Sequence, residues 1–465
     1  MKTPKSSPDG MRVKDMTTGE PARLMLAFAL PLFIGNIFQQ AYNMVDTMVA
    51  GYTLGDTAIA AIGATSALYN LIINLSFGLN GGCAIVVTQS FGAHDEKRLK
   101  QSIAGMLVLN AGAAVILTTL SLLFLTPLLR FMNTPDAIFQ LTRGYISIIC
   151  AGLTATIGYN LLAAILRSVG NSRTPLVFLI ISSVLNIILD LLFVAVFRWG
   201  LAGAALATVA AQAVSAILCA GYMLRHYRAI LPGREEFRIP KEIMLELLAS
   251  GAAMGLMYSV VDIGSVIFQR ANNMLGEVII SSQTAARRLI SIGMAVLGTI
   301  SNALATFVGQ NWGAGKPERI RSAIRKALVM EVAWSLLACS AAYAFGGVLV
   351  RFTTGTEDPE IIRNAAMSLR LHMTFFPALG ILLCLRMALQ SMGKKLAPIF
   401  SSCLELGMKI VAASYLIPRF GFLGTSMTEP ITWTIMVLFL AAAYLYLRRE
   451  LFGESGLSLK TGGAS

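Results

Sequence analysis

The sequence predicts an all-α integral membrane protein of twelve transmembrane helices in two pseudo-symmetric six-helix bundles. Three observations predict it. The 465 residues are 56% hydrophobic and only 13% charged, with mean hydropathy +0.70; a soluble domain carries roughly 25% charged residues. The apolar runs are continuous and long, as spanning helices require, whereas barrel strands would alternate apolar and polar residues. The second half of the chain also repeats the landmarks of the first.

Twelve spans follow in order: 23–50, 60–91, 101–126, 144–168, 174–197, 202–225, 243–271, 280–311, 322–347, 368–391, 395–417 and 422–447. A span needs about 20 residues, so the longer ones should tilt. Residues 1–22 are polar, and the apolar run from Leu24 is too long for a signal-peptide core, so it stays as the first helix. The net charge of +13 would suggest nucleic acid on a soluble protein. Here the basic residues sit in short loops, and they alternate from side to side. One side, from Lys2 and Lys97 through the 225–241 stretch to Lys316, Lys394 and Arg448, holds 25 of the 37. The other holds six: Arg130, Arg143, Arg198, Arg351, Arg363 and Arg419. The positive-inside rule puts both termini in the cytoplasm of a multi-pass cell-membrane protein. The expected organisation is a cytoplasmic tail at 1–22, an N-lobe at 23–227, a cytoplasmic linker at 228–242, a C-lobe at 243–449 and a second cytoplasmic tail at 450–465.

The repeat is visible at several joints. Leu54-Gly55-Asp56 resembles Leu275-Gly276-Glu277, and Phe91-Gly92-Ala93 resembles Trp312-Gly313-Ala314. Ser168-Val169-Gly170 with Pro175 resembles Ser391-Met392-Gly393 with Pro398, and Trp199-Gly200 resembles Phe420-Gly421. The offset stays within 220 to 223. Six spans per half make the repeats parallel, and transporters built this way bind substrate where repeats meet. A duplication without a transport role would carry the same signature.

Enzymatic chemistry is poorly supported. Gly315-Lys316 is followed by Pro317, and Gln310 stands where a phosphate-binding loop needs its first glycine. GxSxG, HExxH and CxxC patterns are absent, and the six cysteines are scattered through apolar stretches as small core residues. The three histidines, His94, His226 and His372, lie far apart, so at most one can join a local cluster. No cofactor and no structural metal are expected, and an ion gradient must drive any pumping.

Ionisable residues inside spans are expensive and mark function by default. Gln39, Asn43 and Asp46 share one face of the first span. Asp190 lies on the fifth, with Asn186 one turn earlier. Both helices run outward, which places the two aspartates at similar depth, where they could exchange a proton or ligate a cation such as Na+ at Asp46, Asn186 and Asp190. Helix-packing hydrogen bonds are the plainer alternative. Glu405 and Lys409 stand in the favoured order for an ion pair on the eleventh span, structural or cavity-lining. Asp262 and Arg270, two turns apart on the seventh, should not pair, and Asp262 could attract a cationic ligand. Glu331 is expected to reach the cytoplasmic interface beside Arg325 and Lys326, and Glu429, before Pro430, to sit in a helix break. The 22 methionines and 23 phenylalanines suit an adaptable apolar cavity, or ordinary packing.

Together these stretches resemble the multidrug and toxic compound extrusion (MATE) family from Met16 to about Arg449. The resemblance is carried by Leu30-Pro31 and Gln39-Gln40-Ala41-Tyr42-Asn43-Met44-Val45-Asp46-Thr47; by Gly78 through Gly82 with Gln89-Ser90-Phe91-Gly92-Ala93; and by Arg167-Ser168-Val169-Gly170-Asn171 with Thr174-Pro175. It continues in Gly309-Gln310-Asn311-Trp312-Gly313-Ala314-Gly315 and Glu429-Pro430-Ile431-Thr432-Trp433. The resemblance implies a V-shaped pair of bundles, alternating access, and export of small organic cations in exchange for H+ or Na+ by a monomer in the lipid bilayer. It places the coupling ion at Asp46, Asn186 and Asp190, with Thr208 on the sixth helix. Some family branches carry a further coupling carboxylate early in helix seven. Here that stretch reads Met257-Tyr258-Ser259-Val260, with no acid before Asp262, which favours the N-lobe. The expected substrate cavity draws on Gln39, Asn43, Tyr258, Asp262, Glu405 and Lys409. The alternatives are a flippase for lipid-linked intermediates, kept open by Arg270, Arg386 and Lys409, and, from a different class, a membrane-embedded enzyme.

Overall fold

The computed structural model describes residues 15–132 and 134–452; at a few helical positions, Asn43 and Thr47 among them, the side chain lies outside the described residues. The described residues form fifteen α-helices and no strand. In order these are α1 (Pro21–Leu54), α2 (Asp56–Gly92), α3 (Glu96–Phe131), α4 (Asp136–Ala151), α5 (Leu153–Ser168), α6 (Arg173–Asp190), α7 (Gly200–His226), α8 (Lys241–Asn273), α9 (Glu277–Gly313), α10 (Pro317–Thr354), α11 (Pro359–Thr374), α12 (Phe376–Ser391), α13 (Leu396–Val411), α14 (Ile417–Phe420) and α15 (Phe422–Phe452). Ten helical stretches are long and apolar enough to cross a membrane. The pairs α4–α5 and α11–α12, bent by 44° and 48°, complete twelve spans.

Those bent pairs differ from the simple spans expected at 144–168 and 368–391. Each starts earlier, at Asp136 and Pro359, and breaks midway. The first break falls at Gly152, where an added Cβ would lie 2.3 Å from Val209 Cγ2 on α7. Close approach to α7 therefore excludes a side chain there. The second break falls at Phe375, just before Pro377, which cannot donate to the helix ladder. Glu429 departs from expectation the other way. α15 runs unbroken through Pro430, so no helix break frees Glu429.

The chain divides into two compact units. One is built on Leu30–Gly255, the other on Met16–Ala29 together with the chain from Leu256 onward. In the first, Ile103, Ile165, Leu166, Val169 and Tyr227 are completely buried, with Leu247 from the start of α8. The same half of α8 meets α2 through glycines. A Cβ on Gly78 would lie 2.7 Å from Gly255 Cα, and one on Gly82 would lie 2.1 Å from the Ser250 carbonyl oxygen. Small residues four apart let membrane helices approach this closely.

In the second unit, residues 16–20 lie along the α9–α10 joint. The Met16 N–H donates to Gln310 Oε1 at 2.8 Å, and the Met16 carbonyl accepts from Asn311 Nδ2 at 3.1 Å and Arg319 Nη2 at 3.0 Å. Lys316 Nζ donates to the Thr17 carbonyl at 2.9 Å, and Lys326 pairs with Glu20. The Gly309–Gly315 stretch, one of those that carry the family resemblance, is thus an anchor for the segment before α1.

The repeat is written in the backbone as well. Left-handed φ values recur at Gly55 and Gly276, Gly170 and Gly393, Gly200 and Gly421, and His94 and Gly315. At Gly170 the reason is local. The N–H groups of Gly170 and Asn171 bond back to the Arg167 and Leu166 carbonyls, closing α5 with a left-handed residue that glycine adopts without strain. Asn171 Oδ1 then accepts from the Arg173 and Thr174 N–H groups and opens α6. Wide π turns follow α6 at Leu191–Val196 and α13 at Ala412–Leu416, 221 positions apart.

Candidate functional site

In the first unit, α1 and α6 bring Asp46 and Asp190 into side-chain contact. The π turn begins immediately after Asp190, a distortion that often accompanies functional sites. Asp190 is 1% exposed and Asn186 3%. Asp46 Oδ1, both Asp190 carboxyl oxygens and both polar atoms of the Asn186 amide are buried, with no hydrogen-bond partner among the described residues. Buried polar atoms are ordinarily paired, so this concentration is informative. Two ionised carboxylates repel at such range, whereas a shared proton or a cation makes the contact attractive.

Three tyrosines surround the pair. Tyr42 and Tyr69 lie within electrostatic reach of Asp46, and Tyr145 within reach of both aspartates. Gln39 hydrogen-bonds the Tyr42 side chain. Sequence reasoning missed these rings. Tyr42 was detectable, one helical turn before Asp46 on the same face; Tyr69 and Tyr145 come from α2 and α4, where no local signal marks them. Thr208 Oγ1 donates to the Ala204 carbonyl on its own helix at 3.1 Å. The Asn43 side chain lies outside the described residues.

The second unit holds a different set of charges. Lys409 Nζ bonds Glu405 Oε1 at 2.9 Å, Ser265 Oγ at 3.0 Å and the Val261 carbonyl at 3.4 Å. Arg386, a basic residue that the sequence reading did not link to this pair, lies 3.7 Å from Glu405 through Nη2. The pair is therefore part of a mostly buried triad of two cations and one carboxylate. Tyr258 on α8 stands within electrostatic reach of Arg386 and Asp262.

Glu331 corrects an expectation. Rather than reaching the interface, it is 0% exposed, accepts from Ser301 Oγ at 3.0 Å and contacts Cys384 and Gly380. Arg325 and Lys326, whose nearness in sequence suggested the interface, lie toward the start of α10, about one and a half turns away, while this face of the helix turns inward. Glu429 likewise makes two contacts: Arg287 Nη2 at 2.9 Å and His372 Nε2 at 3.4 Å. Among the described residues no group of three or more His, Cys, Asp or Glu side chains could hold a metal.

The MatE family model matches twice, at residues 31–192 and 253–414. The second match begins 222 positions after the first, in step with the repeat read from the sequence. The chain belongs to the MatE family. This MatE chain is similar to the probable multidrug resistance protein YpnP of Bacillus subtilis (strain 168), 27% identical over 80% of this chain and 82% of that one. It is also similar to the multidrug export protein MepA of Staphylococcus saprophyticus, 25% identical over 92% and 94%. Its fold matches an outward-facing multidrug resistance MATE family transporter of the MOP superfamily, with TM-score 0.85 and 20% identity, over 95% of this chain and 98% of that structure. The family is one of multi-pass membrane transporters, and twelve spans in two six-span halves are its architecture here.

Proposed function

We propose that this MatE chain is a secondary active multidrug exporter that moves lipophilic or cationic organic compounds out in exchange for H+ or Na+. In this reading it works by alternating access as a monomer, with both termini and the 228–242 linker cytoplasmic and lobes at 23–227 and 243–449. Asp46, Asn186, Asp190 and Thr208 carry the coupling ion. Gln39, Asn43, Tyr258, Asp262, Glu405 and Lys409 face the substrate. The observation that supports the reading most is the contact of Asp46 with Asp190 beside the unsatisfied Asn186 amide. An ion bound there from one side and released to the other reshapes the site, and antiport requires that ion and drug disfavour each other.

Asn at either position keeps the shape but cannot change charge. Asp46→Asn and Asp190→Asn are expected to insert normally and to lose gradient-driven efflux of an ethidium-like dye. Vesicles under an imposed pH or Na+ gradient give the measurement, with expression matched. Exposed Glu235 supplies the control as Glu235→Gln, since Glu331 is too deeply buried to serve. Full efflux by both aspartate variants would place the coupling site elsewhere.

A further inference from the structure

The repeat carries the first unit's carboxyl site onto a specific place in the second. The 221-residue spacing that sets Gly200 on Gly421 sets Thr208 on Glu429. The 223-residue spacing that sets Gly170 on Gly393 sets Tyr145 on Ser368 and Ile149 on His372. The 221-residue spacing that sets Leu54 on Leu275 sets Asp46 on Ile267, next to Phe268. Phe268, Ser368, His372 and Glu429 all line one cavity of about 90 Å³. The two places correspond in part, through Tyr145 and Ser368 and through Asp46 and the neighbour of Phe268, whereas Asp190 falls at 411–413, outside this cavity.

Hydrogen-bond logic fixes that chemistry. His372 is 5% exposed, and its Nδ1 lies 2.8 Å from the Ser368 carbonyl oxygen. A carbonyl only accepts, so Nδ1 carries a hydrogen. In the neutral ring Nε2 is then a bare acceptor. It faces Glu429 Oε2, another acceptor, at 3.4 Å. Arg287 Nη2 holds the other carboxyl oxygen at 2.9 Å, which keeps Glu429 an anion. Only a proton on Nε2 makes the His372–Glu429 contact bonding, and then it is charge-assisted.

The surroundings supply one anion and two further cations. α9 contributes Arg287 and α15 contributes Glu429, while Lys409 from α13 acts on Glu429 from further away. α8 presents Phe268, and Trp433 of α15 meets the His372 ring at 5.8 Å with Phe376 of α12 behind it. α10 meets α11 through Tyr343, which contacts Thr374 and Arg370. The cavity is large enough to admit water, the source and the sink of the proton.

We propose that His372 Nε2 and Glu429 Oε2 form a second proton-binding site, in the second unit, and that its proton is part of the coupling. The site takes H+ from water onto the Nε2 lone pair and returns it to water; Arg287 holds the carboxylate in both states. This rests on the exporter reading above and adds a carrier to it.

The test is nitrogen NMR of the full chain in nanodiscs, with 15N-histidine as the only label. Three histidines give three ring systems, and His372→Gln assigns one by its loss. At the acid end of a pH series both His372 nitrogens should carry protons in the wild type. In Glu429→Gln only Nδ1 should. A bare Nε2 in the wild type overturns the proposal without any variant having to fold, and so does an identical spectrum in Glu429→Gln. Dye efflux against imposed pH gradients tests the coupling half: His372→Gln should flatten the dependence on the gradient severalfold, and an unchanged dependence refutes the role. Asp46→Asn, run alongside, separates the two readings. If it too leaves efflux unchanged, the exporter coupling fails, while the NMR result still decides whether the second site binds a proton.

Discussion

Adding one methyl at Gly82 should loosen the first unit measurably. An alanine Cβ there would sit 2.1 Å from the Ser250 carbonyl oxygen, 2.5 Å from its carbon and 2.6 Å from Gly251 Cα. Carbon atoms pack at about 3.5–4.0 Å. All three obstacles are backbone, so no rotamer change relieves them, and α2 and α8 must part by about 1 Å. The crossing is tight along its length: Cβ positions at Gly81 and Gly251 would lie 2.9 Å from Met254 Sδ and 2.6 Å from Leu79 Cδ1. A gap of 0.5–1 Å forfeits roughly a quarter to a half of each contact's dispersion energy. Overpacking of this kind costs about 1–3 kcal/mol, or a melting temperature lower by about 2–12 °C at roughly 2–4 °C per kcal/mol. The assay is thermal unfolding of the purified full chain in nanodiscs. Gly112→Ala is the control, because an added Cβ there meets nothing within 4 Å, and replacing a mid-helix glycine should stabilise by about 0.5–1 kcal/mol. If Gly82→Ala melts with the wild type, the close crossing does not exist in solution.

Two further outcomes are expected. Glu20, which precedes α1, is held down to a pKa of about 2 by Lys326 first, then by the Arg23 and Ala22 N–H groups. Its folded value is depressed, so the stabilisation of residues 16–20 is complete above the ordinary value of 4.5 and is lost as pH falls through about 2. A spin label at Thr18 should gain mobility across that window, with Lys326→Met moving the onset to higher pH; mobility that ignores both would refute the contact. For topology, single cysteines at Glu236 and Asp358, in a background without the six native cysteines, should label from opposite sides of the membrane. Labelling of both from outside would overturn the orientation argued from basic loops.

Helices, their number and the repeat were legible because membrane insertion writes them into composition over twenty-residue windows. The meeting of Asp46 with Asp190 was legible too: topology and depth are one-dimensional quantities that loops and spacing encode. Bends at Gly152 and Phe375 were not, since a close approach to α7 is set by Val209, more than 50 positions away in the chain. Glu331 was misjudged because nearness in sequence to Arg325 and Lys326 says little about which helix face turns inward. His372, Glu429 and Arg287 come from three helices, and no local pattern joins them. The glycine-rich stretches behind the family resemblance prove to be joints, closing α5, opening α6 and holding residues 16–20, rather than chemistry.

The two units keep one backbone plan and diverge in what it presents. Left-handed turns, mid-span bends and π turns recur at matching positions, because each solves a geometric problem that both halves share. Side chains at the matching positions do not recur. Two carboxyls with tyrosines occupy the first unit's site; a histidine and a carboxylate held by Arg287 occupy the second's. A carboxyl pair exchanges one positive charge and then retains one negative. With the proposed proton taken up, the His372–Glu429–Arg287 set would go from neutral to one positive charge. If both bind a proton as proposed, the two sites hold opposite residual charge. A duplicated scaffold that merely repeated its chemistry could not do that, so the divergence itself argues for division of labour between the halves.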